Sequence, residues 1–324
     1  MSLYRNILSQ ALKTSWNNKY LWFFGLFASL IGSGGFEIVG QSASSSSETV
    51  MQIAQLLDKN FFSMQTLANT KDIFVNQPLN MAILILVYLI VFAIALFVIW
   101  LATVSQVAIV KGSAMAIAKE KHSFSSTIEI GTKKFLPVLM LNVMIKLVFV
   151  IMLFFVNLPL LIGVFSGQST GLSFLYILVY VLVVPTLLLF SFIIKYVIAF
   201  VVLKNDDLGM AIKRSLQLFK RNWLISIEMS LLQFVISFVV SILAILILSA
   251  MYWPVALVAS VVMSSVGIFG AISILFIAAV LAIMFLAFVG AFDSTFQIAA
   301  WTGLFVELTG RGGESKLQRV FRRK

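Results

Sequence analysis

Four ionisable residues, Lys146, Lys195, Glu228 and Asp293, lie within long apolar runs of this sequence. In a bilayer each charge costs at least ~2.5–3.5 kcal/mol on insertion scales, so it should face protein or water and be paired. Two cations and two anions can neutralise one another inside a helix bundle. Such a group is typical of a substrate or proton site, but a buried pair can also serve only to fix helix register.

The positions of these residues along their runs give their depths. Lys146 lies eleven residues after position 135, where its run begins, which is roughly 16 Å along a helix and near mid-membrane. The other three lie within nine residues of the inner interface. We predict that Lys146 is neutralised by Glu228 or Asp293 from another span, and that Lys195 takes the remaining acid. Three amides about one helical turn away complete the predicted intramembrane polar cluster: Asn142, Gln233 and Gln297.

Other chemistry has little support in the sequence. The chain has no cysteine and one histidine, His122, which is expected to be a solvated loop residue. There is no Walker A sequence, no H-E-x-x-H, no G-x-S-x-G and no carboxylate pair with metal-ligand spacing. We therefore predict that the protein is not an enzyme and has no metal or cofactor.

The composition predicts an integral membrane protein of all-α class. Hydrophobic residues make up 61% of the chain and charged residues 11%, compared with about 25% charged residues in soluble proteins, and the mean hydropathy is +1.08. Six apolar runs are long enough to span, at about 20–39, 81–103, 135–165, 173–203, 223–249 and 272–303. A cleaved signal peptide is disfavoured because about twenty polar or amphipathic residues precede the first run.

The distribution of cations predicts the orientation of the spans. Residues 1–19, 104–134, 204–222 and 306–324 contain 19 of the 23 Lys and Arg residues; Lys146 and Lys195 lie within spans, and only Lys59 and Lys71 are on the external side. Both termini are therefore expected in the cytoplasm. The apolar stretch 254–270 could be a seventh span, which would place the basic tail outside. The charge bias favours a re-entrant or interfacial external segment instead.

The stretch 211–224, "AIKRSLQLFKRNWL", has the pattern of a helix that lies in the membrane interface. Its apolar residues fall within an arc of about 160°, with the cations opposite. We predict such an elbow helix at 207–222, turning into the fifth span at Trp223, which would sit at headgroup depth. The predicted contacts with lipid headgroups, here and in two related stretches, are Lys13, Lys133, Lys134, Lys213, Arg214, Lys220 and Arg221.

The related stretches are the N-terminus and 125–139, "SSTIEIGTKKFLPVL". Trp16 aligns without gaps with Phe219, and Lys133 aligns with Arg221. Three units of elbow helix, outward span, external segment and inward span are one interpretation. The other interpretation is that the same pattern of residues recurs at membrane interfaces without any duplication of a unit.

These boundaries give a single membrane domain, 1–324. An elbow helix and first span occupy 1–40, an external linker and amphipathic helix 41–80, and spans two to four 81–203. A second elbow helix and spans five and six occupy 204–305, followed by a basic cytoplasmic tail, 306–324. The helix from Met81 should continue to about Ala118. Alanines at small-xxx-small spacing in the last span predict close helix packing, within the monomer rather than in a dimer: Ala278, Ala282, Ala287 and Ala291.

The N-terminal "NNKYLWFFGLFASL" and "AIKRSLQLFKRNWL" together resemble an uncharacterised bacterial family of six-span membrane proteins. That family is itself similar to the membrane domain fused to some glycerophosphodiester phosphodiesterases. The resemblance implies a bacterial cytoplasmic membrane and a link to phospholipid-derived molecules. It carries over no catalytic residues, since this chain has no phosphodiesterase domain.

The expected function is that of a non-enzymatic inner-membrane protein that handles or senses a lipid-like or small amphipathic molecule. One alternative is a proton-coupled secondary transporter in which Glu228 or Asp293 exchanges protons. The other is a structural or assembly subunit without a ligand. The expected partners are membrane lipids, anionic on the cytoplasmic side, and not nucleic acid, because the cations cluster at interfaces.

Overall fold

The computed structural model describes residues 2–29, 78–120, 123–166 and 170–310, and within them all regular structure is α-helical. The predicted all-α membrane architecture is thereby confirmed. These ranges contain eight helices: α1 Ser2–Asn17, α2 Tyr20–Ser29, α3 Pro78–Ala118, α4 Phe124–Lys133, α5 Phe135–Ser166, α6 Thr170–Leu203, α7 Leu208–Ser265 and α8 Ile268–Gly310.

Five of these helices, α3 and α5 to α8, are long and apolar enough to cross a membrane. The protein is therefore a multi-pass membrane protein. Helix α2 is the start of the first predicted span, and the rest of that span lies outside the described residues. The predicted external linker, His122 and most of the basic tail also lie outside them.

Helix α3 confirms the predicted long helix from Met81 to Ala118. It begins at Pro78, a residue tolerated in the first turn because its missing N–H has no intrahelical partner there. Its 41 residues extend about 61 Å, roughly twice the hydrocarbon thickness. The helix therefore continues well beyond the part needed to cross.

The prediction of a re-entrant or interfacial segment at 254–270 is wrong. Helix α7 continues through Pro254 to Ser265, and only Val266 and Gly267 separate it from α8. Gly267 has φ +95°, and the N–H groups of Val266 and Gly267 both donate to the carbonyl of Val262, which ends the helix. The physical reason is that one proline in a long helix removes a single backbone hydrogen bond, and the helix can continue past it.

A break inside α7 confirms the helix predicted at 207–222 and its end there, while its position in the membrane interface stays a prediction. Asn222 has φ −128° and ψ 28°, outside the helical region. Its side-chain amide donates to the carbonyl of Leu218 at 3.0 Å. Between α1 and α2 the amide of Asn18 donates in the same way to Thr14, at 2.9 Å. At the first of these ends the backbone N–H of Asn18 also donates to the Thr14 carbonyl, at 3.1 Å, so the asparagine side chain adds a second donor to that carbonyl.

All three elbow helices bury a pair of small residues four apart: Ala11 with Ser15, Thr127 with Gly131 and Ala211 with Ser215. In the first two, the first residue beyond the helix, Asn18 or Lys134, lies three residues after the second small residue. In α7 the non-helical Asn222 lies seven residues after the second small residue, so this elbow is about one turn longer. The equivalence between the ends of the first and last elbows is thus Asn18 with Asn222, one residue away from the gap-free alignment.

Helix α8 packs against α1, α2 and α7, and its buried part runs through residues 291–308. A side chain at Gly25 of α2 would overlap the carbonyl oxygen of Ala291 and the hydroxyl of Thr295. This close approach brings the Thr295 hydroxyl within 3.1 Å of the carbonyl of Leu21; the same hydroxyl lies 2.8 Å from the carbonyl of Ala291 in its own helix, so its single hydrogen is shared between the two. The buried Ala291 therefore serves helix packing within the monomer, as predicted.

The described chain falls into two compact units. One contains α1, α2, α4, α7 and α8, together with α3 from Ala102, α5 up to Val138 and α6 from Ile193. The other contains the remaining parts of α3, α5 and α6. All the polar contacts of α7 described below belong to the first unit.

The contact at Gly25 can be tested with a matched pair of variants. We expect Gly25→Ala to lower the free energy of unfolding by about 1–3 kcal/mol, because the added methyl group meets backbone that cannot move away. Gly290→Ala in α8 meets nothing within 4 Å and should be neutral, or stabilising by up to ~1 kcal/mol through helix propensity. Unfolding in mixed micelles with increasing SDS measures both. Equal stabilities would contradict the packing.

Candidate functional site

Two pairs of polar residues meet between α7 and α8. Ser237 donates to Asp293 Oδ1 at 2.8 Å, and Gln297 Nε2 donates to Asp293 Oδ2 at 2.7 Å. Gln297 Nε2 also lies 3.0 Å from the Ser237 hydroxyl oxygen. The side-chain amide of Gln233 donates to the main-chain carbonyl of Gln297 at 3.0 Å. These four residues, the Asp293 cluster, use i, i+4 spacing on each helix. Both carboxylate oxygens of Asp293 accept from neutral donors.

Glu228 lies on α7 but has a partner on a different helix. Its carboxylate accepts a hydrogen bond from the hydroxyl of Tyr4, on elbow helix α1. Tyr4 is buried. The contact fixes the N-terminal elbow to the helix that carries the third elbow.

Lys195 and its neighbour connect α6 to the same region. The Lys195 ammonium lies 4.6 Å from the centroid of the Trp301 ring on α8, a cation–π contact. The Tyr196 hydroxyl is 2.7 Å from the Ser226 hydroxyl, which itself donates to the Asn222 carbonyl at 3.1 Å. Since Ser226 has one hydrogen, Tyr196 is the donor of the first bond. A buried polar chain thus ends at the break in α7.

Lys146 lies on α5 in the second of the two units. Its side chain is exposed, beside the exposed apolar residues Val143 and Leu147. It forms no ion pair with an acid in the described ranges. Lys146 lies in the second unit and the two carboxylates lie in the first, so the neutralisation of Lys146 by Glu228 or Asp293 stays a prediction.

The helical period of α5 explains this position. The helix buries Val138, Leu141 and Val156 on one side, and Lys146 points about 80° away from Val138. It therefore lies at the margin where the buried side gives way to the lipid-facing side. Asn142, one turn earlier, is half-buried.

Three of the predicted polar residues meet, together with residues that the sequence did not point to. Gln233, Gln297 and Asp293 meet across the α7–α8 interface. Ser237 was missed although its i+4 spacing from Gln233 was a usable signal. Tyr196 and Ser226 were also missed, because nothing in a single sequence shows which faces of α6 and α7 meet.

The predicted headgroup contacts divide into two groups. Arg214 donates to both oxygens of Asp206, at 2.7 and 2.8 Å, and Lys133 pairs with Glu129 at 2.7 Å, lowering the pKa of that carboxyl by hydrogen bond and charge. Lys134 is half-buried at the end of α4. The other four cations are exposed and have no acidic partner among the described residues: Lys13, Lys213, Lys220 and Arg221.

No family model, curated protein or solved structure gives a significant match to this chain. The resemblance to the bacterial six-span family remains an expectation. Function therefore has to be argued from the site itself.

The contact between Tyr4 and Glu228 can be measured by a double-mutant cycle. Tyr4→Phe and Glu228→Gln should each cost ~1.5–3 kcal/mol of unfolding free energy, because each removes a hydrogen bond to a charged group. The double variant should lose much less than the sum, a coupling of about 0.5–3 kcal/mol. As a control, Lys146→Met with Glu228→Gln should be additive. Additivity in the first cycle would show that the bond contributes nothing.

Proposed function

We propose that this chain is a non-enzymatic protein of the bacterial cytoplasmic membrane that handles or senses a lipid-like amphipathic molecule. The observation that supports the proposal is the group of exposed cations on α7 before its break: Lys213, Lys220 and Arg221. Cations held in this way, beside exposed apolar residues, suit the phosphates of anionic headgroups.

The elbow of α7 has three sides with different neighbours. Ala211 and Ser215 face the protein and are fully buried. Leu216 and Trp223 lie on the next side and are exposed, Trp223 by 51%. The three cations lie roughly opposite the buried pair and extend over about 12 Å at 1.5 Å per residue. A helix with protein, lipid and headgroup sides fits the inner interface of a bilayer.

The orientation in this proposal comes from the charge bias. Both termini are placed in the cytoplasm because 19 of 23 cations lie on that side. That face is also the one where anionic lipids attract basic segments. The resemblance to a bacterial six-span family supports the same membrane.

A proton-coupled transporter is the second candidate, and the Asp293 cluster favours it. Asp293 is held by two neutral donors, and neither α7 after Arg221 nor α8 contains a lysine or arginine. A carboxyl in this setting can take up a proton without breaking an ion pair with those helices. An Asp293→Asn variant that folds but no longer couples uptake to a pH gradient would support this candidate.

Charge reversal tests the lipid contact. Combining Lys213→Glu, Lys220→Glu and Arg221→Glu should remove most of the co-purifying anionic phospholipid, because three favourable contacts become repulsive. Native mass spectrometry and lipid extraction measure this. The charge-swapped control, Asp206→Arg with Arg214→Asp, keeps the net charge and should retain lipid. Equal anionic lipid in the triple variant and the wild type would contradict the proposal.

Topology can be tested separately. Reporter fusions at residue 45 and after Lys324 should report opposite sides of the membrane, with Lys324 in the cytoplasm, because the cation bias holds both termini inside. Activity of a periplasmic reporter after Lys324 would refute the orientation. Phosphatase and fluorescent-protein fusions provide the two complementary signals.

A further inference from the structure

Lys146 presents a positive charge on the exposed, apolar surface of α5, and nothing above gives it a role. We propose that Lys146 binds the phosphate of an anionic phospholipid whose headgroup crosses the membrane along α5. The protein would then move anionic lipid between the two leaflets. This inference rests on the proposed lipid-handling function and adds to it a substrate class and a route.

Depth is the first reason. Helix α5 begins at Phe135, directly after the end of elbow helix α4. With that elbow at headgroup level, Lys146 lies roughly 16 Å further along the helix, about halfway through the hydrocarbon. A lysine near a helix end can extend to the interface, but one at this level has water far away on both sides.

The second reason is that the described helices of the unit that holds Lys146 contain no counter-ion. Lys146 lies in the second unit with parts of α3, α5 and α6, and these three helices contain no aspartate or glutamate. A charged residue inside a membrane segment is normally paired, and its partner marks a substrate path. The described part of this unit offers Lys146 no acidic partner, so the anion in this proposal comes from the lipid.

The surroundings select the kind of anion. Val143, Leu147 and Val150 flank Lys146 and are exposed by 54%, 56% and 63%, which suits acyl chains that remain in the lipid. An ammonium is a compact point charge that binds phosphate well. Phospholipid headgroups rest at the interface, so a phosphate at the level of Lys146 belongs to a lipid in transit. A zwitterionic lipid carries its own cation and gains less from the contact.

The test uses the full-length protein in vesicles of phosphatidylcholine and phosphatidylglycerol, with an NBD-labelled lipid and dithionite to quench the outer leaflet. The wild type should translocate labelled phosphatidylglycerol faster than protein-free vesicles do, and faster than labelled phosphatidylcholine. Lys146→Met should slow phosphatidylglycerol by roughly tenfold or more, since one charge-assisted contact is lost. Lys146→Arg should restore most of the rate.

Lys204→Met removes a cation from an exposed position after α6 and should translocate like the wild type. Lys146→Met rates equal to the wild type, or equal acceleration of both labelled lipids, would overturn the inference. So would a wild type no faster than empty vesicles. If anionic lipid still co-purifies through the α7 cations in that case, only the translocation fails and the proposed lipid contact stands. If neither translocation nor co-purifying anionic lipid is observed, the proposed function is contradicted as well.

Discussion

The close approach of α2 to α8 at Gly25 is the contact on which the folded first unit depends. In lipid there is little hydrophobic drive to bring helices together, so close packing of small residues has to supply the contact. Because Gly25 has no side chain, the carbonyl of Leu21 comes within reach of Thr295. With α2 held there, α1 lies against α8, and its Tyr4 reaches Glu228.

After its break at Asn222, α7 is the helix that determines how the neighbouring helices pack. Within about four turns it bonds α6 through Ser226, α1 through Glu228 and α8 through Ser237. Polar groups inside the hydrocarbon have no water to form hydrogen bonds with, so each must find its partner within the protein. Three different partners on three helices admit few alternative arrangements. The same bonds that satisfy these groups therefore also select one packing of the bundle.

Apart from the helical stretch after Pro254, the sequence was sufficient for the positions of the long helices and for the end of the elbow, because hydrophobic length and amphipathic period are local properties. The end of the elbow at Asn222 and the continuous helix to Ala118 were both predictable in this way. The pairing of charges was not. Depth along a helix can be read from residue number, but the direction in which Lys146 points relative to a neighbouring helix cannot.

The two-residue turn at Val266 and Gly267 has a consequence for how the chain is made. Synthesis proceeds from the N-terminus, so Gln233 and Ser237 emerge long before Gln297 and Asp293, their partners. Released alone into lipid, α7 would carry unsatisfied polar groups. The tight turn lets α8 follow at once as its antiparallel neighbour. The hairpin is thus suited to leave the translocon as one unit, with its polar groups already joined.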